Sequence, residues 1–210
     1  MRGRLAIGIV AIGALFVIFG SGEGAGLWAR DLIITSHARL LTTHITSQSD
    51  PAISGDIIVF TDTRLGSPEL FYIDLREAPV VARKLSGATE GGTGEADIFK
   101  RTVVYSRRDP ETGLRDVRTA QIDGPHAAEV EVASNPLADQ RHPAISGHLV
   151  VWEDDRDGNT EIYARDLLSG IEKRLTFTPN AEEEGPSVDG CRVVHSQRNP
   201  DGTCGIVVMG

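Results

Sequence analysis

Short hydrophobic runs alternate with polar turns over most of the chain. Residues 57–60 and 149–152 are apolar almost without alternation, and turns rich in glycine and aspartate follow them. Turns of this composition are typical of hairpin connections between strands. No stretch after residue 26 keeps a 3.6-residue period. The pattern therefore predicts an all-β domain.

An internal repeat orders these runs. Pro-Ala-Ile-Ser-Gly occurs at residues 51–55 and again at 143–147, and weaker copies begin at 96 and 186. The four copies are about 45 residues apart; the first three each hold signals for four short strands, and the last holds signals for three. A repeat of this length predicts small sheets that bury their faces against one another. The last position of each second strand forms a column that is expected to fill the space between sheets: Phe60, Tyr105, Trp152 and His195.

The N-terminal part of the repeat region predicts how the sheets close. Residues 27–55 align without a gap on residues 162–190, with nine identities in 29 positions. They therefore begin with the third and fourth strands of a repeat, whereas residues 206–209 match a third strand. Pairing of residues 38–41 with this last strand would supply a fourth strand and remove an exposed edge. One strand is then left over, because residues 27–32 also match a third strand.

The strongest copy reads Gln-x-x-Pro-Ala-Ile-Ser-Gly at 140–147, Val-Trp-Glu-Asp-x-Arg-x-Gly at 151–158, Glu-Ile-Tyr-x-x-Asp-Leu at 161–167 and Arg-Leu-Thr at 174–176. These motifs resemble the TolB-like, WD40-like β-propeller repeat of exported bacterial and archaeal proteins, and the resemblance covers residues 27–210. It implies four-stranded blades around a central channel, usually six or more, and often a role in holding protein partners at the cell envelope. The four copies predict either a propeller of about four blades, with the last blade closed by the N-terminal strand, or an open arc that another copy completes.

Residues 1–26 form a separate segment. Arg2 and Arg4 precede an uncharged run at residues 5–22, and small residues follow. This is the layout of a secretory signal peptide, but the run is also long enough to cross a bilayer as a helical anchor. Both alternatives predict that residues 27–210, the propeller domain, are extracytoplasmic. Membrane contact is then expected only through residues 1–26, if they are not cleaved.

The charge and cysteine content exclude several classes of protein. The chain has 21 basic and 30 acidic residues, a net charge of −9, so it has no cationic excess with which to bind a nucleic acid. The two cysteines, Cys191 and Cys204, are too few for a zinc site. The predicted register of the last hairpin sets them about five residues apart, which is beyond disulfide reach.

Candidate site residues come from equivalent positions of the copies. In a propeller, the segments that enter the innermost strands converge around one mouth of the channel. The positions three residues and one residue before each copy carry the binding candidates Gln48, Asp50, Glu95, Gln140, His142 and Glu183. Their carboxylates suit a divalent cation or a basic group of a partner, and an imidazole suits a transition metal. No other cofactor is implied. Polar residues at strand ends are also often only solvated, and Gln48 and Gln140 can serve turn hydrogen bonds.

Sequence signatures of enzymes are sparse. The chain has no Gly-x-Ser-x-Gly elbow, no His-Glu-x-x-His motif and no Gly-x-x-x-x-Gly-Lys phosphate loop. The acidic stretch at 153–161 lacks EF-hand spacing and is interpreted as a hairpin turn. The sequence thus predicts a non-catalytic binding or scaffold module for a protein or glycan partner. Two alternatives stay open: a metal-assisted polysaccharide lyase or hydrolase at the channel mouth, and a truncated propeller that forms a homo-oligomer to complete itself.

Overall fold

A computed structural model of the chain describes residues 9–12, 15–18, 40–85, 92–122 and 129–210. The chain divides into two units, Met1–Leu41 and Thr42–Gly210. All regular elements among the described residues are β-strands. The all-β prediction is therefore confirmed, whereas a domain boundary between residues 26 and 27 stays a prediction.

The first unit contains a hairpin within the uncharged N-terminal run. Strand β1 (Ile9–Ile12) pairs antiparallel with β2 (Leu15–Ile18). A helix, one of the two forms expected for this run, is wrong for these residues, because their many β-branched side chains favour an extended backbone. Among the described residues, no helix is long and apolar enough to span a membrane. The signal-peptide role of residues 1–26 stays a prediction.

The second unit contains four antiparallel sheets, and each is a meander of consecutive strands. The first sheet comprises β3 (Gln48–Ser54), β4 (Ile57–Asp62), β5 (Glu69–Asp74) and β6 (Ala82–Lys84). The second comprises β7 (Thr93–Phe99), β8 (Thr102–Arg108), β9 (Arg115–Gln121) and β10 (Val130–Ala133). The third comprises β11 (Gln140–Ser146), β12 (Leu149–Asp154), β13 (Glu161–Asp166) and β14 (Glu172–Arg174). The fourth comprises β15 (Glu182–Asp189), β16 (Arg192–Arg198) and β17 (Cys204–Met209). Each sheet corresponds to one copy of the sequence repeat.

The fourth sheet has an open edge within the described part of the chain. Strand β17 has β16 on one side and no strand on the other, and Ile206 and Val208 are 79% and 68% exposed. Of the predicted closing strand, residues 38 and 39 lie outside the described residues, and Leu40 and Leu41 form no strand. The predicted strand at 27–32 also lies outside them. Closure by the N-terminal strand or by another copy stays a prediction.

The first strand of each sheet, called the inner strand from here on, carries a bulge at the same position. The pairing register shifts once in each of β3, β7, β11 and β15. One residue of each bulge has a left-handed backbone, with φ of 52° at Asp50, 52° at Glu95, 48° at His142 and 63° at Gly185. This conformation is uncommon for residues other than glycine, and a bulge re-aims the side chain that it carries. The bulges therefore change the direction of the side chains of Asp50, Glu95 and His142 from that of a regular strand.

The hydrophobic core lies between consecutive sheets. Tyr105 of the second sheet shares a cluster with Val59 of the first, and Trp152 of the third shares one with Val104 of the second. A third cluster joins the third and fourth sheets. Tyr105 and Trp152 thus fill the space between sheets, as the sequence column predicts. His195 is buried as well.

The repeated serine of Pro-Ala-Ile-Ser-Gly links the first sheet to the second and the third sheet to the fourth. Ser54 Oγ accepts a hydrogen bond from the backbone N of Lys100 at 2.8 Å, and Ser146 Oγ accepts one from the backbone N of Gly190 at 3.0 Å. Both donors lie in the tight turn that follows the next inner strand. The pentapeptide is therefore a structural signature, since it fixes the spacing of neighbouring sheets.

The Asp-x-Arg part of the repeat motif also has a structural role. Asp62 Oδ1 accepts a hydrogen bond from the backbone N of Arg64 at 2.7 Å, and the Arg64 guanidinium lies 4.4 Å from the centroid of the Phe71 ring. Arg156 lies at the same distance over Tyr163 in the third sheet. The turn between β12 and β13 begins here, so the interpretation of residues 153–161 as a hairpin turn is confirmed.

The last hairpin places both cysteines at the surface. Cys204 lies opposite Arg198 on β16, whereas the turn near Pro200 that the sequence predicts would place it opposite Ser196. Cys191 and Cys204 are both free and exposed. The prediction that they form no disulfide is confirmed, although the register was wrong because the turn falls one residue later than expected.

Candidate functional site

A charged cluster joins the second and third sheets where their inner strands begin. This rim cluster consists of Glu95, Arg115, Asp139, Arg141, His142 and Glu153. Arg115 Nη1 lies 2.7 Å from Glu95 Oε1, and Arg115 Nη2 lies 2.5 Å from Asp139 Oδ2. The His142 ring lies 3.3 Å from Glu95 and 2.9 Å from Glu153. The structure thus brings together Glu95 and His142, two of the residues predicted from the sequence.

The carboxylates of the rim cluster also bind the backbone of the next bulge. The backbone N of His142 donates to Glu95 Oε2 at 3.0 Å, and the backbone N of Gly185 donates to Glu153 Oε1 at 2.7 Å. Each carboxylate therefore reaches from one sheet to the bulge of the following sheet. Two backbone amides that the shifted register leaves outside the strand pairing gain a partner in this way.

The electrostatics of the rim cluster favour ionised groups. The hydrogen bond with Glu153 raises the pKa of His142, and the nearby Glu95 charge adds to this effect. Burial alone would raise the pKa of Glu153, but hydrogen bonds from His142 and the Gly185 amide, together with the Arg141 charge, lower it. His142 consequently stays protonated to a higher pH than a free histidine. When it loses its proton, the carboxylates of the cluster outnumber the cations by one.

A groove of about 450 Å³ lies beside the rim cluster, between the first and second sheets. Its walls carry two carboxylates, two guanidinium groups and several hydroxyls, supplied by Asp50, Glu95, Arg108, Arg115, Ser49, Thr61, Thr63, Thr93 and Ser106. Thr61 is 5% exposed, and its Oγ1 has no hydrogen-bond partner among the described residues. A buried hydroxyl without a partner is uncommon in folded proteins.

Asp50, the third predicted residue at this end of the fold, lines the groove and is exposed to solvent. Its Oδ2 accepts a hydrogen bond from Ser49 Oγ at 2.9 Å. It makes no ion pair within the described part of the chain, unlike Glu95 at the equivalent position of the next sheet. Its charge is therefore available to a ligand.

The two predicted glutamines have structural roles. Gln48 Nε2 donates to Asp62 Oδ2 at 2.9 Å. Gln140 is fully buried, donates to the backbone O of Ala138 at 3.1 Å, and accepts from the backbone N of Asn135 at 3.2 Å. Both side chains stabilise loops, as one of the sequence interpretations allowed.

Glu183 lies in the interior and does not line the groove. Its carboxylate oxygens have no hydrogen-bond partner of good geometry among the described residues. Burial, reinforced by the neighbouring Glu161 carboxylate, raises the pKa of Glu183 to about 7. The position equivalent to Gln140 thus holds a carboxyl group that is easiest to bury when it is protonated.

Glu183 predicts a pH-dependent loss of stability. Because its folded pKa lies above its unfolded value, the free energy of unfolding should fall as the pH rises from about 4.5 through 7. We expect Glu183→Gln to remove this loss and to stabilise the protein at pH 8 by about 1 to 3 kcal/mol. Urea unfolding at pH 5 and pH 8 measures the difference. Glu184→Gln, at a more exposed neighbour, is the control, and an equal pH dependence in both variants would contradict the assignment.

The predicted candidates do not converge on a metal site. Within the described residues, no group of three or more His, Cys, Asp or Glu side chains is placed to hold a metal ion. Glu95 and His142 are in contact, but Glu183 lies beside Glu161 instead.

Comparisons with known proteins concern the fold. No protein-family model and no curated protein matches the chain. The structure of TolB from Acinetobacter baumannii matches with a TM-score of 0.64 at 14% identity, over 83% of this chain and 43% of that chain. The structure of putative TolB from Agrobacterium tumefaciens matches with a TM-score of 0.57 at 14% identity, over 74% and 57%. The β-propeller domain of the Trilobed protease from Pyrococcus furiosus matches with a TM-score of 0.56 at 11% identity, over 79% and 55%.

This is a TolB-like β-propeller fold. The resemblance seen in the sequence is therefore confirmed, and each sheet of the second unit is called a blade from here on, whereas a propeller of about four blades stays a prediction. The chain spans about half the length of the TolB chains that it matches. At these identities the likeness extends to the fold alone.

The sequence did not identify four members of the rim cluster, which are Arg115, Asp139, Arg141 and Glu153. Their shortest ion pairs join residues that are 12 to 24 positions apart and lie on different strands or loops, so no local motif marks them. Glu153 does carry a signal, because it directly follows Trp152 of the aromatic column. The equivalent residues of the other blades are Thr61, Ser106 and Ser196.

Proposed function

We propose that the chain is a non-catalytic, extracytoplasmic propeller module that binds a protein partner at the rim where its inner strands begin. One observation carries this proposal: three successive bulges hold the polar residues Asp50, Glu95 and His142 in the left-handed conformation. Non-glycine residues in such conformations cluster at functional sites, because the surrounding fold must offset their strain. The groove beside Asp50 and Glu95 gives a partner side chain a place to enter.

The charge of the chain supports a partner with a basic contact surface. The net charge is −9, and Asp50 presents an exposed carboxylate that has no ion pair among the described residues. Complementary charges steer association and select partners more than they add affinity. A propeller also suits this role, since its strands form a rigid scaffold that positions the loops at the rim.

The extracytoplasmic location follows from residues 1–26. Two arginines, an uncharged run and small residues are typical of an export signal or an N-terminal anchor. Fusion of residues 1–26 to a reporter that is active only after export tests this part of the proposal.

Capture of envelope proteins on the immobilised chain tests the binding role. We expect a partner that is retained by the wild type and by Asp56→Lys but is lost with Asp50→Lys. Both aspartates are exposed, and Asp56 lies in the turn at the other end of β3, so the two variants make the same change of charge. Quantitative mass spectrometry of the three captures gives the ratio for each protein. If every captured protein responds equally to both variants, the rim is not the binding surface.

A further inference from the structure

The groove between the first and second blades has a counterpart between the second and third blades, and the two differ in one respect. Strand pairing makes Ser49, Gly94 and Arg141 equivalent, because they lie opposite Thr61, Ser106 and Glu153. It also makes Pro68 equivalent to Arg115, because each lies two residues before the third-strand residue that pairs with Thr61 or with Ser106. The junction between the second and third blades can therefore be compared, residue by residue, with the groove between the first and second blades.

Two arginines fill the space between the second and third blades. Arg115 Nη1 lies 2.7 Å from Glu95, and Arg141 Nε lies 2.7 Å from Glu153. Ser106 Oγ donates to Glu95 Oε2 at 2.5 Å. At this junction the Glu95 carboxylate, the Ser106 hydroxyl and the guanidinium groups of Arg115 and Arg141 all have partners.

The junction between the first and second blades lacks both arginines. Pro68 stands where the next junction has Arg115, and Gly94 stands where it has Arg141. As a result a groove of about 450 Å³ is open, and Asp50, the equivalent of Glu95, has no ion pair among the described residues. Thr61, the equivalent of Ser106, has a buried Oγ1 with no hydrogen-bond partner there.

We infer that this groove binds a guanidinium group, supplied by an arginine side chain of the protein partner. This inference rests on the proposed function and gives the chemistry of its ligand. Asp50 would accept the guanidinium as Glu95 accepts Arg115, and Thr61 Oγ1 would accept a further hydrogen bond. A guanidinium has five N–H donors in a planar fork, so it can satisfy a carboxylate and a hydroxyl at once.

The two arginines that line the groove both have hydrogen-bond partners elsewhere. Arg115 is paired with Glu95 and Asp139. Arg108 is exposed and donates to the backbone O of Gly113. The wall formed by the first blade carries the free carboxylate, and the ligand is expected to lie against that wall.

Titration with argininamide tests the inference, with citrullinamide as the analogue of the same shape whose side chain is uncharged. We expect saturable binding of argininamide by NMR shifts or calorimetry and at least about 10-fold weaker binding of citrullinamide. Asp50→Asn should weaken argininamide binding to a similar extent, whereas Asp56→Asn should leave it unchanged. Equal binding of the two amides, or no effect of Asp50→Asn, would overturn the inference.

Two further variants test the inference without relying on Asp50→Asn alone. Gly94→Arg places a guanidinium as Arg141 does, and the position accepts a side chain, since an added Cβ would meet no atom closer than Thr61 Oγ1 at 3.8 Å. It should abolish argininamide binding. Thr61→Val removes the unpaired hydroxyl and should raise the Tm by about 2 to 4 °C while weakening binding. A lower Tm would show that the hydroxyl already has a partner and would overturn its assigned role.

Failure of this inference can be separated from failure of the proposed function. A partner lost with Asp50→Lys but not displaced by argininamide would support the binding role and contradict the guanidinium site. Binding of argininamide without any rim-dependent partner would have the opposite meaning, because the site would then take a free small cation instead of a protein side chain.

Discussion

Replacing Trp152 with alanine is expected to lower the free energy of unfolding by about 3 to 5 kcal/mol. The indole is fully buried, shares a cluster with Val104 of the preceding blade, and stacks on Tyr163 with ring centroids 6.0 Å apart. Alanine would leave a cavity between two blades that the surrounding strands can fill only in part. Urea unfolding followed by circular dichroism measures the loss.

Two variants control this experiment. Leu137→Ala changes a side chain that is 90% exposed and should alter stability by no more than about 0.5 kcal/mol. Trp152→Phe keeps a ring but removes the hydrogen bond from Trp152 Nε1 to Asp154 Oδ2, so it should fall between the wild type and alanine. If alanine at position 152 costs less than about 1 kcal/mol, the column does not hold the blades together.

Asp154→Ala is the second substitution with a large expected effect, a loss of about 3 to 4 kcal/mol. The carboxylate is fully buried and accepts hydrogen bonds from the backbone N of Arg156 at 3.0 Å and from Arg156 Nη2 at 2.5 Å. Removing it leaves the Trp152 N–H and Arg156 Nη2 without this acceptor, so that Glu172 is the one carboxylate still paired with the guanidinium among the described residues. Breaking one side of a buried pair costs more than the pair itself contributes.

The matched control is Asp189→Ala, at the exposed end of β15, which should change stability by less than about 0.5 kcal/mol. The equivalent pair in the first blade, Asp62 and Arg64, also makes the free energy of unfolding depend on pH. The hydrogen bond from Arg64 holds the pKa of Asp62 well below its usual range. Its contribution is therefore present above the usual carboxyl pKa and is lost as the pH falls toward the folded value. An Asp154→Ala protein as stable as the control would contradict the structural role of the motif.

Much of the fold could be predicted from the sequence because each blade is specified locally. The repeated pentapeptide, the apolar second strands and the Asp-x-Arg turns each act within one blade or between neighbours, so their spacing carries the architecture. The N-terminal run was harder, because length and hydrophobicity are the same for a helix and for the hairpin of β1 and β2. The last hairpin shifted in register because several turns can join the same two strands.

The candidate site was predictable only in part. The sequence marked Asp50, Glu95 and His142 by their shared position, and the bulges explain why that position matters. It also marked Gln140 and Glu183, which are buried, because sequence position does not distinguish a side chain at the rim from one beneath it. Arg115 and Arg141 were missed because their carboxylate partners lie on other strands, and only folding brings them together.

The bulge at the start of each inner strand lets the backbone fold in the same way whichever side chain it presents to a ligand. Gly185 adopts the same backbone as His142, although it has no side chain. The main chain therefore keeps its course whatever group projects there, and aspartate, glutamate, histidine and glycine all occupy the position within one protein. Divergence at these four points can give a propeller of this kind a new specificity without a new architecture.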